Sequence, residues 1–208
     1  MHLYEEHGDA FVEHLNGQFA IALWDGRQQR LVLARDRVGI RPLYYTWTAG
    51  RLAFASEVKA LFALPEVPRR LDPAALASTF SYWSALPPAS VFEGICVLPP
   101  GHVMSVEDGA TRVSRYWDWS FAGHDGAAPS EERCADELRD LLIDAVRLQL
   151  RADVPVGAYL SGGLDSSIIT TIVRRHTDTP VRSFSLTFED AEFDESAHQQ
   201  AVVARMAE

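Results

Sequence analysis

The sequence predicts an α/β chain in two parts, mostly β at first and alternating helix with strand afterwards. Three observations carry that prediction. Short apolar runs separated by Gly-containing turns fill residues 19–117. Helical periodicity and strand-like runs alternate beyond residue 130. Between them, Phe121-Ala122-Gly123-His124-Asp125-Gly126-Ala127-Ala128-Pro129 has no apolar periodicity and carries Gly and Pro, so 122–129 reads as a linker joining domains 1–121 and 130–208. A length of 208 residues suits one generous domain or two small ones.

Composition narrows the class. With 47% hydrophobic and 23% charged residues the chain is globular rather than disordered. A net charge of −10 favours solubility and argues against nucleic acid as the main partner. No apolar run approaches the ~20 residues needed to cross a bilayer, and Met1 to His7 lacks the basic and apolar regions of a secretory signal. Cys96 and Cys134 stand far from any CxxC spacing, against a disulfide framework or a Cys-rich zinc site. A cytoplasmic protein with no nucleic-acid and no membrane partner is expected.

The first part opens on a helical pattern from Ala10 to Leu15, stopped by Asn16-Gly17. Six consecutive apolar residues, Phe19 to Trp24, read as a buried strand. Asp25-Gly26 supplies a turn able to take positive φ, and Leu31 to Ala34 is the return strand. Leu43–Trp47 and Leu52–Ala55 form a second pair around Ala49-Gly50. Ser56 is placed to cap a short helix through Leu61. Asp72-Pro73 sets Asp at the N-cap and Pro at the first helical position, for a helix through Phe80. Val103–Val106, a Glu107-Asp108-Gly109 turn and Val113–Trp117 make a further hairpin.

The second part alternates. Ser130 followed by Glu131 and Glu132 caps a helix whose Leu138, Leu142, Ala145 and Val146 recur at helical spacing. Val154 to Leu160 is a short apolar strand, Asp165 begins a helix with Ile168, Ile169, Ile172 and Val173 on one face, and Val181 to Phe188 alternates as a strand. Helix, strand, helix, strand is the start of a parallel α/β sheet.

Chemistry concentrates at Ser161-Gly162-Gly163-Leu164-Asp165-Ser166-Ser167, between that strand and that helix. A glycine turn feeding a helix from the carboxyl end of a parallel strand aims successive N–H groups at one point, where an anion satisfies them. Gly162 and Gly163 let the backbone approach an oxyanion, Ser161 and Ser166 add hydroxyl donors, and Asp165 is able to hold magnesium. No Lys ends the loop, which disfavours a kinase or GTPase. Five specified residues at ~7% usage each arise by chance at roughly one in a million positions, so phosphate binding outweighs an ordinary Ser/Gly-rich cap.

With that motif, the chain resembles glutamine-hydrolysing asparagine synthetases. Ser161 to Ser166 is similar to the S-G-G-x-D-S pyrophosphate loop of the ATP pyrophosphatase group. Gly17-Gln18-Phe19-Ala20, Arg35-Asp36-Arg37-Val38-Gly39-Ile40-Arg41-Pro42-Leu43-Tyr44, Phe54-Ala55-Ser56-Glu57-Val58-Lys59-Ala60-Leu61 and Leu98-Pro99-Pro100-Gly101-His102 resemble family segments in the family's order. The resemblance implies the C-terminal part of an Ntn-hydrolase-like αββα glutaminase domain, then the start of a Rossmann-like ATP-pyrophosphatase domain. It implies a parent that makes asparagine from aspartate, glutamine or ammonia, and ATP with Mg²⁺, through a β-aspartyl-adenylate. By match, Ser161, Gly162, Gly163, Asp165 and Ser166 hold pyrophosphate, Asp165 binds the metal, and Leu160 and Leu186 meet the nucleotide through their backbones. A homodimer of the intact parent is compatible with it. A nonenzymatic ATP-binding remnant and a fragment of a paralogue such as a β-lactam synthetase are the competing readings.

Where the family carries Met-Cys-Gly, this chain has His2 in second place, and the glutamine-binding R-G-P-D and N-G-E segments and the later S-G-E-G-x-D-E segment do not occur. Neither Cys96 nor Cys134 replaces the nucleophile, so no catalytic residue is assigned and an internal fragment of a longer enzyme is expected. Elsewhere the plainer readings are taken: Arg35, Asp36 and Arg37 as a sheet-end ion network, His102 as a turn residue, Asp194-Glu195 as a helix start, and Trp24, Trp47, Tyr44 and Tyr45 as core.

Overall fold

A computed structural model describes residues 1–121, 129–180, 182–190 and 192–207. Residues 122–128 of the expected linker, and Val181 at the head of an expected strand, lie outside them. The chain divides into two compact units, Met1–Ala122 and Gly123–Glu208. No helix among the described residues is long and apolar enough to cross a membrane.

In chain order the first unit forms α1 (His2–His7), a 3-10 segment (Gly8–His14), β1 (Ala20–Asp25), β2 (Arg30–Arg35), β3 (Tyr44–Thr48), β4 (Arg51–Ala55), α2 (Val58–Leu61), α3 (Pro73–Tyr82), β5 (Cys96–Val97), β6 (His102–Glu107) and β7 (Ala110–Arg115). Two antiparallel sheets result, ordered β1-β2-β6-β7 and β4-β3-β5. Alternation along β2 sorts the layers, because successive side chains leave opposite faces. Val32 and Ala34 pack with Val103 against Phe11 and Val12 of the 3-10 segment. Leu33, with Leu43, Leu98 and Met104, fills the space between the sheets against Tyr45 and Leu52. On the far side of the second sheet, Tyr44, Ala53 and Ala55 meet Leu61, Val67 and Ile95. Helix, sheet, sheet and helix thus stack as the expected αββα layers. Leu33 and Met104 are fully buried, each worth about 1.5–3 kcal/mol of burial.

Several local expectations change. The opening helix starts at His2; Gly8 (φ 57) ends it, and the chain tightens into the 3-10 segment that buries Phe11 and Val12. The Phe19–Trp24 run forms β1, an edge strand whose Trp24 is 59% exposed; six apolar letters conceal a two-fold alternation. Trp47 is likewise 45% exposed, so neither indole is core, whereas Tyr44 and Tyr45 are half-buried. After β1 the left-handed residue is Gln29 (φ 51) rather than Gly26, because Asp25 Oδ1 accepts from the Arg27 and Gln28 amides and shapes the turn itself. Ser56 does not cap α2, which starts after Glu57 with no side-chain cap.

Other turns follow the sequence. Ala49 and Gly50 (φ 48 and 72) and Asp108 and Gly109 (φ 49 and 77) take the paired positive φ of tight hairpins. Asp72 caps α3 by accepting from the Ala74 and Ala75 amides at 2.9 and 3.1 Å. Asp72→Ala is expected to cost about 1 kcal/mol, read as a lower urea midpoint at unchanged slope.

The second unit forms α4 (Glu131–Gln149), β8 (Ala158–Tyr159), α5 (Leu164–His176), β9 (Ser183–Phe184) and α6 (Ser196–Ala207). Ser130 caps α4 through the Arg133 amide. Helices α4 and α5 share a core of Val146, Ile172 and Val173 with Leu142, Ile143 and Leu150. β8 and β9 pair in parallel, Ala158 with Ser183 and Tyr159 with Phe184. Both strands are shorter than the runs 154–160 and 181–188. Each finds one partner among the described residues, and Val154, Leu186 and Phe188 beyond the ladder are exposed.

Candidate phosphate-binding loop and its cavity

The loop begins where β8 ends. Leu160 is 1% exposed, its amide donates to the Phe184 carbonyl at 2.9 Å and its carbonyl accepts from Ser185 Oγ at 2.8 Å. These bonds set the height at which Ser161 leaves the sheet. Gly162 then takes φ 91, a region that a side chain rarely enters. A Cβ there would sit 2.8 Å from His198 Cβ and 3.0 Å from the Gln199 amide, so α6 leans directly on this glycine. Gly163 is extended and is the N-cap of α5, with no side-chain cap among the described residues. The amides of Leu164, Asp165 and Ser166 in the first turn therefore have no intrahelical acceptor.

Hydroxyls brace the turn from inside. Ser161 Oγ lies 3.0 Å from Ser166 Oγ and accepts from the Gly163 amide at 3.3 Å. The Ser161 amide donates to Ser166 Oγ at 3.2 Å, and Ser167 Oγ donates to the Gly163 carbonyl at 2.6 Å. Ser161, Gly162, Gly163 and Ser166 are thus drawn into one tight ring. Asp165 projects from the first turn, exposed and without a partner among the described residues. One free carboxylate beside anion-seeking amides fits the requirement of magnesium, which takes one or two protein oxygens and completes its shell with phosphate and water.

Two cavities flank the loop. One of about 240 Å³ is lined by Leu160, Ser161, Leu186, Phe188, Phe193 and Gln199, among others. The other, about 390 Å³, is an apolar cleft between α4, α5 and β8, with Asp165 and Ser166 at its lining. Leu160, Ser161 and Leu186 are therefore brought together, and Asp165 faces the other cavity across the start of α5. The Leu186 carbonyl accepts from Gln199 Nε2 at 2.9 Å. Sequence reading missed Gln199, which is 6% exposed. Nothing in Gln199-Gln200 distinguishes one from the other until α6 docks.

The remaining candidates resolve as structure. Asp194 accepts from Ser196 Oγ at 2.6 Å and from the Ser196 and Phe188 amides, which ties the chain ahead of α6. The Ser196 hydroxyl bond holds its carboxyl below the ordinary range. In the first unit, Arg35 donates to the carbonyls of Arg41, Leu98 and Gly39 at 2.8, 2.8 and 2.7 Å. Asp36 accepts from the amides of Ile40 and Arg41 at 2.9 Å and of Phe19 at 3.4 Å. Arg37 reaches the Glu13 carbonyl. The expected ion network is instead a set of backbone contacts, and no ion pair joins these three side chains. Burial lowers the Arg35 guanidinium, and it pushes the Tyr116 hydroxyl, which donates to the Arg35 carbonyl, up to about 12 with help from Asp36. His102 Nδ1 pairs with the Pro100 carbonyl, as befits a turn residue. Cys96 sits half-buried in β5 and Cys134 exposed on α4.

Comparison with known proteins matches the two units to two families. Residues 1–117 match the glutamine amidotransferase domain, and residues 137–207 match asparagine synthase. Asparagine synthetase [glutamine-hydrolyzing] 3 of Bacillus subtilis is 37% identical over 206 residues, covering 96% of this chain and 33% of the relative. Amidase chyE of Penicillium rubens is 36% identical, covering 99% and 32%. A putative asparagine synthetase [glutamine-hydrolyzing] 2 of Methanocaldococcus jannaschii is 30% identical, covering 97% and 39%. The chain thus spans about a third of the length of these curated relatives. A solved allosteric regulatory enzyme of purine biosynthesis aligns at a TM-score of 0.38 and 15% identity, over 88% of this chain and 36% of that one, a likeness too slight to bear on fold or function. One family model covers more than half of the sequence, and a second matches residues 137–207: the chain belongs to the glutamine amidotransferase domain family, and its second unit is similar to asparagine synthase.

Proposed function

We propose that the second unit binds ATP by its pyrophosphate, as part of a glutamine-hydrolysing asparagine synthetase that joins an amino group to aspartate. The observation that carries this is the Ser161–Ser166 turn. It places the amide-rich start of α5 at the carboxyl end of a parallel strand, beside a cavity walled mainly by aromatic and aliphatic side chains, with Ser161, Glu195 and Gln199 as its polar members. Residues 1–121 supply the glutaminase-type layers and 130–208 the nucleotide-binding start of the synthetase, joined through 122–129. The first-turn amides and the hydroxyls of Ser161 and Ser166 hold the leaving pyrophosphate, where charge grows as the aspartate carboxylate attacks the α-phosphorus. Gly162 and Gly163 keep Cβ atoms out of that approach. Asp165 would hold Mg²⁺, which when bound neutralises phosphate charge. Leu160 acts by position, since its amide and carbonyl are engaged in the sheet, and Leu186 offers its backbone at the cavity wall. A cytoplasmic setting and a homodimeric parent belong to the same reading.

Equilibrium binding of ATP and of inorganic pyrophosphate, with and without Mg²⁺, tests it. Magnesium is expected to tighten both ligands, and Asp165→Ala to remove about tenfold or more of that gain while the thermal melt stays unchanged. Absence of ATP and pyrophosphate binding at millimolar concentration would sink the proposal.

A further inference from the structure

Gln199 reaches from α6 to two carbonyl oxygens beside the candidate loop, and it is 6% exposed. Its Nε2 donates to the Leu186 carbonyl at 2.9 Å and to the Ser161 carbonyl at 3.4 Å. Both partners only accept, so the nitrogen end of the carboxamide faces them and its two N–H groups serve one carbonyl each. The shorter bond anchors the side chain beyond the end of β9. Its backbone is fixed as well. The Gln199 amide donates to the Glu195 carbonyl at 3.1 Å and stands 3.0 Å from where a Gly162 Cβ would be.

The Ser161 carbonyl shares a peptide plane with the Gly162 amide. That peptide is trans, so its C=O and N–H point in opposite directions. Holding the oxygen toward Gln199 therefore turns the Gly162 N–H away from the carboxamide, and that N–H has no acceptor among the described residues. A peptide that precedes glycine flips readily, since glycine takes either sign of φ at little cost. The amides on either side are set by other means: the Gly163 amide donates to Ser161 Oγ at 3.3 Å, and those of Leu164 to Ser166 are aimed by the helix. Only the Ser161–Gly162 peptide depends on α6. We infer that Gln199 is a positioning residue of the pyrophosphate loop, locking this peptide in one orientation and so presenting the Gly162 amide to the bound anion. The inference rests on the ATP reading above, to which it adds one donor and the side chain that aims it.

Titration of the isotope-labelled chain with inorganic pyrophosphate, followed by its amide resonances and by equilibrium dialysis, tests this role. In the unaltered chain the Gly162 amide proton is expected to move downfield on saturation, as befits a donor to a charged oxygen. Gln199→Met keeps the length of the side chain and removes its donor. That variant is expected to bind pyrophosphate about tenfold more weakly and to lose most of the Gly162 response, while the Leu160 amide, held in the sheet, keeps its resonance. Saturable binding that leaves the Gly162 amide unmoved in the unaltered chain overturns the inference and leaves the loop standing, whether or not the variant folds. So does a folded Gln199→Met chain that keeps the Gly162 response, or that binds pyrophosphate within about twofold of the unaltered one. Absence of binding by the unaltered chain overturns the underlying site, and this inference with it.

Discussion

Gly162→Ala is expected to abolish measurable pyrophosphate binding and to destabilise the second unit by about 2–4 kcal/mol. Two separate penalties fall on one methyl group. The first is conformational: at φ 91 an L-side chain crowds its own backbone. The second is packing: the new carbon would stand 2.8 Å from His198 Cβ and 3.0 Å from the Gln199 amide, atoms fixed in the first turns of α6. Neither neighbour is the far end of a flexible chain, so relief requires α6 to move away, and with it the Gln199 contacts to Ser161 and Leu186. Gly163→Ala is the matched control. Its backbone is extended with negative φ, and an added Cβ would lie 3.4 Å from Ser161 Oγ. That variant should keep its stability within about 1 kcal/mol. Urea unfolding followed on the second unit, paired with pyrophosphate binding, separates the two. Equal behaviour of the variants would show that α6 does not lean on the loop.

Asp36→Ala should cost the first unit about 3–5 kcal/mol, a large share of the stability of an ordinary domain. Asp36 is 1% exposed and ties the ends of β1 and β2 to the segment that leads into β3, through the amides of Phe19, Ile40 and Arg41. Removing the carboxylate leaves buried donors with nothing to accept from them. Burial alone would raise this carboxyl, but the Arg41, Ile40, Phe19 and Gly39 amides outweigh it and hold the group below its ordinary value of 3.8. A depressed carboxyl stabilises the fold above that ordinary value and loses its contribution as pH falls through the lower, folded-state value. Thermal melts from pH 7 down to pH 2 should therefore show the unaltered chain weakening below about pH 4. Asp36→Asn should be less stable at pH 7 and show a shallower acid slope, since it has no proton to take up there. An acid slope that Asp36→Asn leaves unchanged would refute this account.

Both variants act at positions whose importance was only half visible in the sequence. Asp36 stands in a run of Arg35, Asp36 and Arg37, where alternating charge suggests ion pairs. Once folded, Arg35 and Asp36 serve backbone carbonyls and amides across the end of the sheet. The type of residue was legible, the partners were not, because they come from segments as distant as Leu98. Gly162 was legible as a loop glycine. That it must also be small for the sake of α6 depends on a contact with residues 198 and 199, which no local pattern encodes. The strands β8 and β9 were placed correctly but overextended, because an alternating pattern signals compatibility with a sheet and not the presence of a partner along its whole length.

Read alone, the sequence determined what is local: which runs become strands or helices, that Asp72 and Ser130 begin helices, and that a glycine turn leads from β8 into α5. Those outcomes depend on neighbours a few residues apart, through backbone sterics and short-range hydrogen bonds. Only the tertiary structure decided that Trp24 and Trp47 face outward and that Asp165 and Leu186 border different cavities. It also showed which of two adjacent glutamines turns its amide to the strand ends. Those outcomes depend on which surfaces meet, and packing is settled by the whole fold at once rather than by any one segment.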